Sequence, residues 1–133
     1  MDKYIKILKN LNNLAKNSGD IPVSCIIFKE NKIISKGFNK KYKNSNPLDH
    51  AEIIAIKKAC KKLNTTNLID CTMLVTLKPC GMCRELIKEV RLKNVYYILD
   101  NDKKINDTTK YIKINDSNAY FNKELIDFFK DKR

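Results

Sequence analysis

The 133-residue chain is 43% hydrophobic and 32% charged, with 27 Lys and Arg against 15 Asp and Glu and a formal net charge of +12. This length suits one domain, residues 1–133, with a self-sufficient core, and the apolar content excludes a disordered chain. No apolar run approaches the 18 residues of a membrane span, and the N-terminus lacks the apolar core and cleavage site of a secretory signal, so a cytoplasmic protein without a membrane partner is expected.

Ile5, Leu8, Leu11 and Leu14–Ala15 recur at helical spacing and predict an amphipathic first helix stopped by Ser18–Gly19. Residues 23–28 and 32–38 read as two strands joined by a tight turn at Glu30–Asn31. A polar loop follows. A helix is then expected from Asp49 to Leu63, with Ile53, Ile56, Cys60 and Leu63 on one face. The continuous apolar run at 72–77 predicts a central strand, 81–90 a helix and 94–99 a second buried strand. Residues 111–114 suit an edge strand, and 122–133 a closing amphipathic helix. Strand–helix–strand alternation implies parallel pairing, while the opening hairpin adds an antiparallel part. The expected class is α/β, with three α/β/α layers around a mixed sheet of about five strands.

Five cysteines in a cytoplasmic chain argue against a disulfide framework and for metal or redox use of some. Cys25, Cys60 and Cys71 sit in apolar patterns and read as buried fillers. Cys80 and Cys83 differ. They follow Pro79 where a strand meets a helix, three residues apart, so both thiols fall on the first turn. The helix dipole there favours the thiolates a metal needs. A lone C-x-x-C also suits a thioredoxin-like redox pair. The chain's one histidine, His50, opens the preceding helix and makes a natural third ligand. Two Cys and one His with a fourth position open form a catalytic zinc pattern, because structural zinc takes four protein ligands. Glu52 has two readings. With Asp49 as N-cap it completes a D-x-x-E capping pattern; beside a metal it is a general base.

His50–Ala51–Glu52 followed by Pro79–Cys80–Gly81–Met82–Cys83 matches H-x-E…P-C-x-x-C, the signature of zinc nucleobase deaminases. The chain resembles the cytidine-deaminase-like superfamily and, within it, the bacterial tRNA-specific adenosine deaminases. The resemblance runs through "IPVSCIIF", "GFN", "NPLDHAEIIAI", "LIDCTMLVTLKPCGMC" and the terminal "LIDFFKDKR". It implies one Zn2+ per subunit on His50, Cys80 and Cys83, with Glu52 as catalytic proton shuttle. It also implies nucleotide contact by Asn39 and a base pocket lined by Val23, Ala51, Leu77 and Pro79. Asp127, Phe128 and Phe129 would lie near nucleotides flanking the target; at helical spacing Phe128 suits the core better. The implied reaction converts adenosine to inosine in the tRNA anticodon stem-loop, and the implied assembly is a homodimer. A zinc deaminase for a free base, nucleoside or nucleotide would share the same core. A non-catalytic zinc or redox module would share only the thiols.

The +12 charge suits a polyanion such as RNA. The Lys-, Asn- and Ile-rich composition of an A+T-rich genome would give the same balance. Lys40, Lys41, Lys43, Lys123, Lys130, Lys132 and Arg133 are expected around the pocket mouth, and Lys57, Lys58, Lys61 and Lys62 on a solvated helix face. Two departures from the resemblance stand out. Lys78 occupies a position commonly acidic in related enzymes, and residues 100–116 lack a glycine-rich pattern.

Overall fold

The computed structural model of the protein describes residues 2–101 and 107–131. Helix α1 spans Asp2–Asn17 and buries Tyr4, Leu8, Leu11, Asn12 and Ala15, a single stripe at helical spacing. Gly19 ends it with φ 78°, while the Gly19 and Asp20 N–H groups donate to the Lys16 and Ala15 carbonyls, both at 2.9 Å. Strands β1 (Ser24–Lys29) and β2 (Lys32–Phe38) form the opening hairpin. Its two turn residues, Glu30 and Asn31, both take left-handed φ (51° and 65°), the twist-matched turn that hairpins favour. Then follow α2 (Ala51–Leu63), β3 (Thr72–Leu77), α3 (Gly81–Glu89), β4 (Asn94–Leu99), β5 (Lys110–Lys113) and, after a 3-10 turn at Ser117–Ala119, α4 (Tyr120–Asp131).

The five strands form one mixed sheet in the order β2-β1-β3-β4-β5. β1 pairs antiparallel with both β2 and β3, whereas β3–β4 and β4–β5 are parallel. The short β5 is an edge, as the sequence predicts. Alternation along the strands divides the core. Cys25, Ile27, Met73, Val75 and Val95 face α2 and α3, packing on Ala51, Ala55, Ile56, Ala59 and Ile87. Ile26, Leu74 and Ile98 face the other way, against Tyr4, Leu8 and Leu11 of α1 and Phe121 of α4. The three predicted layers are therefore present. Cys25 and Cys71 are buried and Cys60 half-buried, as fillers should be.

Small side chains bring α2 close to the sheet. Ser35 Oγ donates to the Ala55 carbonyl at 2.7 Å. Gly37 sits under the first turn, where a Cβ would fall 2.4 Å from the Ala51 carbonyl oxygen. The same economy of space fixes the approach to α3. The Lys78 N–H donates to the Leu99 carbonyl at 2.8 Å, and Asn101 Nδ2 donates to the Lys78 and Pro79 carbonyls at 2.9 and 3.3 Å.

Candidate metal centre

His50 and Cys80 hold the same place on successive helices. Each is an N-cap with extended backbone, φ −74° and −72°, and neither side chain caps the helix it begins. Both are therefore left to point across the gap between the two helix starts. Cys83 follows in the first turn of α3. His50 Nδ1 lies 3.8 Å from Cys80 Sγ and 3.6 Å from Cys83 Sγ, and all three donor atoms fall within 4.8 Å of one another.

These spacings fit zinc. Bond lengths of about 2.3 Å to sulfur and about 2.0 Å to nitrogen, at tetrahedral angles, give N···S edges of about 3.5 Å. The two N···S separations are close to that edge, so among the described residues these three donors suit three corners of a tetrahedron. The donor chemistry agrees. Burial, then the charge of Lys41, holds the His50 pKa below its ordinary 6.5, favouring the neutral ligand form. At Cys83 burial pushes the thiol pKa well up, with the charges of Glu52 and Cys80 adding to it. The expected lowering by the α3 dipole is overridden there, because desolvation of a fully buried thiolate outweighs half a unit of helix charge. A ligated cation reverses that balance.

Asp49 is not the N-cap that the local pattern predicts. It sits one residue outside α2, and its backbone and carboxylate are used elsewhere. Its N–H donates to the Asn46 carbonyl (3.1 Å), its carbonyl accepts from the Lys40 N–H (2.9 Å), and its carboxylate accepts from Asn44 Nδ2 (2.7 Å). Glu52 is consequently the second helical residue rather than the third, and the Asp49 N–H is already taken. The capping reading of Glu52 fails on both counts. Asn39 supplies the cap instead, its Oδ1 accepting from the Ala51 N–H at 2.8 Å. No local rule finds this partner, which comes from the end of β2.

Glu52 is 4% exposed, and its Oε1 is buried without a hydrogen-bond partner among the described residues. Burial raises its pKa from 4.5 to about 7, against the opposing pull of its own backbone N–H and the Cys83 thiol. The carboxyl group thus touches a ligand of the centre and is poised to gain or lose a proton near neutrality.

The other predicted site residues divide. Val23, Asn39 and Ala51 are contiguous, since the Asn39 N–H donates to the Val23 carbonyl at 3.1 Å and its side chain caps Ala51. Leu77 and the buried Pro79 lie on the run from β3 into Cys80. Phe129 lines a different cleft, with Ser18, Gly19, Ile21, Tyr42 and Phe128. Lys78 packs its ammonium 3.7 Å from Asp100 Oδ1 and over the Tyr97 ring at 5.1 Å. Lys57, Lys58, Lys61 and Lys62 are exposed, as expected of a solvated face. Lys132 and Arg133 lie outside the described residues. Arg84 and Tyr111, not singled out by sequence, stand beside the centre. Burial raises the Tyr111 pKa, with smaller effects from Asp107, Arg84, Cys83 and Glu52. The Arg84 Nη1 and Tyr111 hydroxyl are both buried without a hydrogen-bond partner among the described residues.

The family described as the cytidine and deoxycytidylate deaminase zinc-binding region matches residues 1–99. The chain belongs to this zinc-binding deaminase family. Zinc is accordingly its metal, and the cluster of His50, Cys80 and Cys83 can hold one ion. Among curated members, a tRNA-specific adenosine deaminase of Aquifex aeolicus is 39% identical over 94 residues, covering 71% of this chain and 62% of that protein. The chain thus spans about three-fifths of that relative's length. A tRNA-specific adenosine deaminase of Buchnera aphidicola is 32% identical over 151 aligned positions, covering 99% of this chain and 90% of that one. The cytidine-deaminase-like fold recurs in a solved structure from a study of A-to-I editing by tRNA:A34 deaminases. That structure has a TM-score of 0.77 at 19% identity and covers 85% of this chain and 98% of its own. Guanine deaminase from Bacillus subtilis matches with a TM-score of 0.70 at 25% identity, over 98% of this chain and 94% of that one.

Proposed function

We propose that the protein is a zinc-dependent hydrolase that converts adenosine to inosine at the first anticodon nucleotide of tRNA and releases ammonia. The observation that carries the chemistry is Glu52, buried, unable to cap its helix and in contact with Cys83. The tRNA part rests on the curated relatives named tRNA-specific adenosine deaminase. It also draws on the basic residues Lys40, Lys41 and Lys43 in the loop that leads to His50.

His50, Cys80 and Cys83 would hold the metal, and zinc with an open position supplies Lewis-acid polarisation of water and of developing negative charge. Glu52 accepts a proton from the attacking water and delivers it to N1 of the base. As the water oxygen bonds to C6, Glu52 takes the remaining proton from the new C6 hydroxyl and passes it to the amine while the C6–N bond breaks, so that one water is consumed and one ammonia released. Burial without a full set of hydrogen-bond partners among the described residues makes this carboxylate a stronger proton acceptor than an exposed one, which suits a group that takes and gives protons. Asn39 positions the α2 start through Oδ1 and would turn Nδ2 to the nucleotide. Val23, Ala51, Leu77 and Pro79 would form the walls around the base, and Phe129 would meet a flanking nucleotide. The whole chain, residues 1–133, acts in this reading as one deaminase domain, as a homodimer in the cytoplasm. Among the described residues no helix is long and apolar enough to cross a membrane.

The test is incubation of zinc-loaded protein with total tRNA, then reverse transcription to look for A-to-G changes at the first anticodon position. Their appearance with wild type and absence with Glu52→Gln supports the proposal. The likeness to B. subtilis guanine deaminase favours one rival, a deaminase of free bases. Turnover of isolated guanine or cytosine, with tRNA left unchanged, would establish that rival instead.

A further inference from the structure

The polar run between β2 and α2 folds back on itself. The Lys40 N–H donates to the Asp49 carbonyl at 2.9 Å, which pinches the two ends of the 40–49 loop together. Inside it, the Asn44 N–H donates to the Lys40 carbonyl at 2.9 Å and the Asn46 N–H to the Lys41 carbonyl at 3.0 Å. Asn44 Nδ2 reaches Asp49 Oδ2 at 2.7 Å. The segment is thus a small, internally braced flap. Both its ends are fixed along one edge, where Asn39 bonds Val23 and caps Ala51, and where His50 opens α2. A body held along one edge can still turn about that edge. Packing does little to stop it, because residues 42–45, 47 and 48 are exposed.

Asp20 supplies a tie away from the edge. It follows the end of α1, where its own N–H donates to the Ala15 carbonyl at 2.9 Å, and it is only 1% exposed. Its Oδ1 accepts the Tyr42 N–H at 2.9 Å and its Oδ2 the Lys43 N–H at 3.3 Å. Away from the edge at His50, these two are the hydrogen bonds that join the flap to the rest of the described chain. Among the described residues no lysine or arginine pairs with this carboxylate. Burying a carboxylate without a counter-ion is costly, and the two charge-assisted bonds are what offsets that cost. An apolar side chain would fill the same space more favourably if the flap needed no tie. The angle of the flap matters to the metal centre, because the flap carries Lys41 and Lys43 and the Lys41 charge reaches His50. Turning it about the Lys40–Asp49 edge would carry both cations away from the mouth.

We propose that Asp20 is a positioning residue, which locks the 40–49 flap at a fixed angle beside His50 so that RNA meets a preformed cationic wall at the mouth of the site. This rests on the RNA substrate of the preceding section. Without the tie, binding must order the flap first, and the apparent affinity falls by the fraction of time the flap spends in place. The chemical step is untouched, because Glu52 and the metal ligands are held by α2 and α3 and not by the flap.

The experiment follows a fluorescein-labelled anticodon stem-loop RNA on the zinc-loaded protein. Anisotropy over a range of salt gives Kd and its salt slope, and single-turnover conversion at saturating RNA gives the rate of the chemical step. Asp20→Ala weakens binding roughly 10-fold or more, as expected for the loss of two hydrogen bonds to a charged acceptor. It makes the salt dependence shallower by about one phosphate, because the cations are no longer held in place. Hydrogen exchange of the RNA-free protein speeds up over residues 40–49 alone. One zinc per chain is kept, and the rate at saturating RNA stays within about twofold of wild type. Asp20→Asn has the same shape and keeps one acceptor. It gives a smaller loss of the same pattern and stands in should the alanine variant misfold. Leu8→Ala separates this from general destabilisation, since it lowers the melting temperature and leaves Kd and salt slope unchanged. The proposal is overturned by a wild-type Kd in either Asp20 variant, or by a loss of zinc or of rate with Kd unchanged. It is equally overturned by the same loss of binding in Leu8→Ala, or by failure of wild type to bind RNA. RNA bound in an Asp20-dependent way but never deaminated by wild type would refute the proposed reaction and leave the role of Asp20 standing.

Discussion

Replacing Gly37 by alanine tests how the sheet positions the metal centre. A Cβ on residue 37 would stand 2.4 Å from the Ala51 carbonyl oxygen, 3.0 Å from the Ala55 nitrogen and 3.3 Å from the Ala55 Cβ. The Ala51 carbonyl and Ala55 nitrogen lie in the opening turns of α2, whose first hydrogen bond runs from the Ile54 N–H to the His50 carbonyl at 3.1 Å. None of the contacted atoms belongs to a flexible side-chain end, so the backbone of the first turn must retreat by about 1 Å to restore ordinary contact. Overpacking of this sort costs about 1–3 kcal/mol, or a fall in melting temperature of about 4–12 °C for a domain of this size. The effect on the metal is larger in consequence, because ligand distances tolerate only about 0.2 Å. Zinc affinity should drop at least about tenfold. The assay is competition for zinc against a chromophoric chelator, alongside thermal melts of the metal-free protein. Leu8→Ala is the control. It opens a cavity on the opposite face of the sheet, destabilises by about 2–5 kcal/mol, and should leave zinc affinity within threefold at a temperature where it is folded. Wild-type zinc affinity in Gly37→Ala, or an equal loss in Leu8→Ala, would refute the idea that close α2–β2 packing sets the His50 position.

Other expectations follow from single groups. Glu52→Gln should retain one zinc per chain by elemental analysis while turnover falls by at least about a hundredfold; loss of zinc would mean that Glu52 is structural. In the metal-free protein the raised Glu52 pKa means the native state holds its proton more tightly than the unfolded chain. Wild type should therefore lose stability as pH rises from 4.5 to about 7, by about 3 kcal/mol at most, relative to Glu52→Gln in urea titrations. Asn39→Ala removes the cap of α2 and should cost about 1–2 kcal/mol, whereas Asn39→Asp keeps the acceptor and most of the stability, as read from denaturant midpoints. Cys80→Ser should lose zinc without any change in disulfide content, since all five cysteines are free. RNA binding should weaken by roughly tenfold or more between 50 and 200 mM salt if three phosphates are neutralised, and salt-independent binding would remove the basic rim from the account.

The layers and the ligands were legible because their signals are local. The stripe Leu8–Leu11–Ala15, the apolar run at 72–77 and the Cys80–Cys83 spacing each state their own geometry. The pairing of His50 with those thiols was legible only through the joint motif, since thirty residues separate them. What local rules misplaced was the α2 cap. Asp49 has the right chemistry, but its backbone is committed to the 40–49 loop, and Asn39 reaches the helix from a neighbouring strand end. Asp20 was invisible for the same reason, as its two N–H partners lie 22 and 23 residues away. Gly37 carried a readable hint, since a glycine inside a strand often marks close backbone approach. The sign of the Cys83 shift was missed because dipole arguments assume exposure, and this thiol is wholly buried.

Zinc K-edge X-ray absorption on the purified, zinc-loaded protein tests the central geometry directly. The expected result is two sulfurs at about 2.3 Å and two lighter atoms at about 2.0–2.1 Å around the metal, one of them imidazole, with one sulfur lost in Cys83→Ser. A shell of three or four sulfurs, or one lacking the imidazole, would contradict an open site built from His50, Cys80 and Cys83.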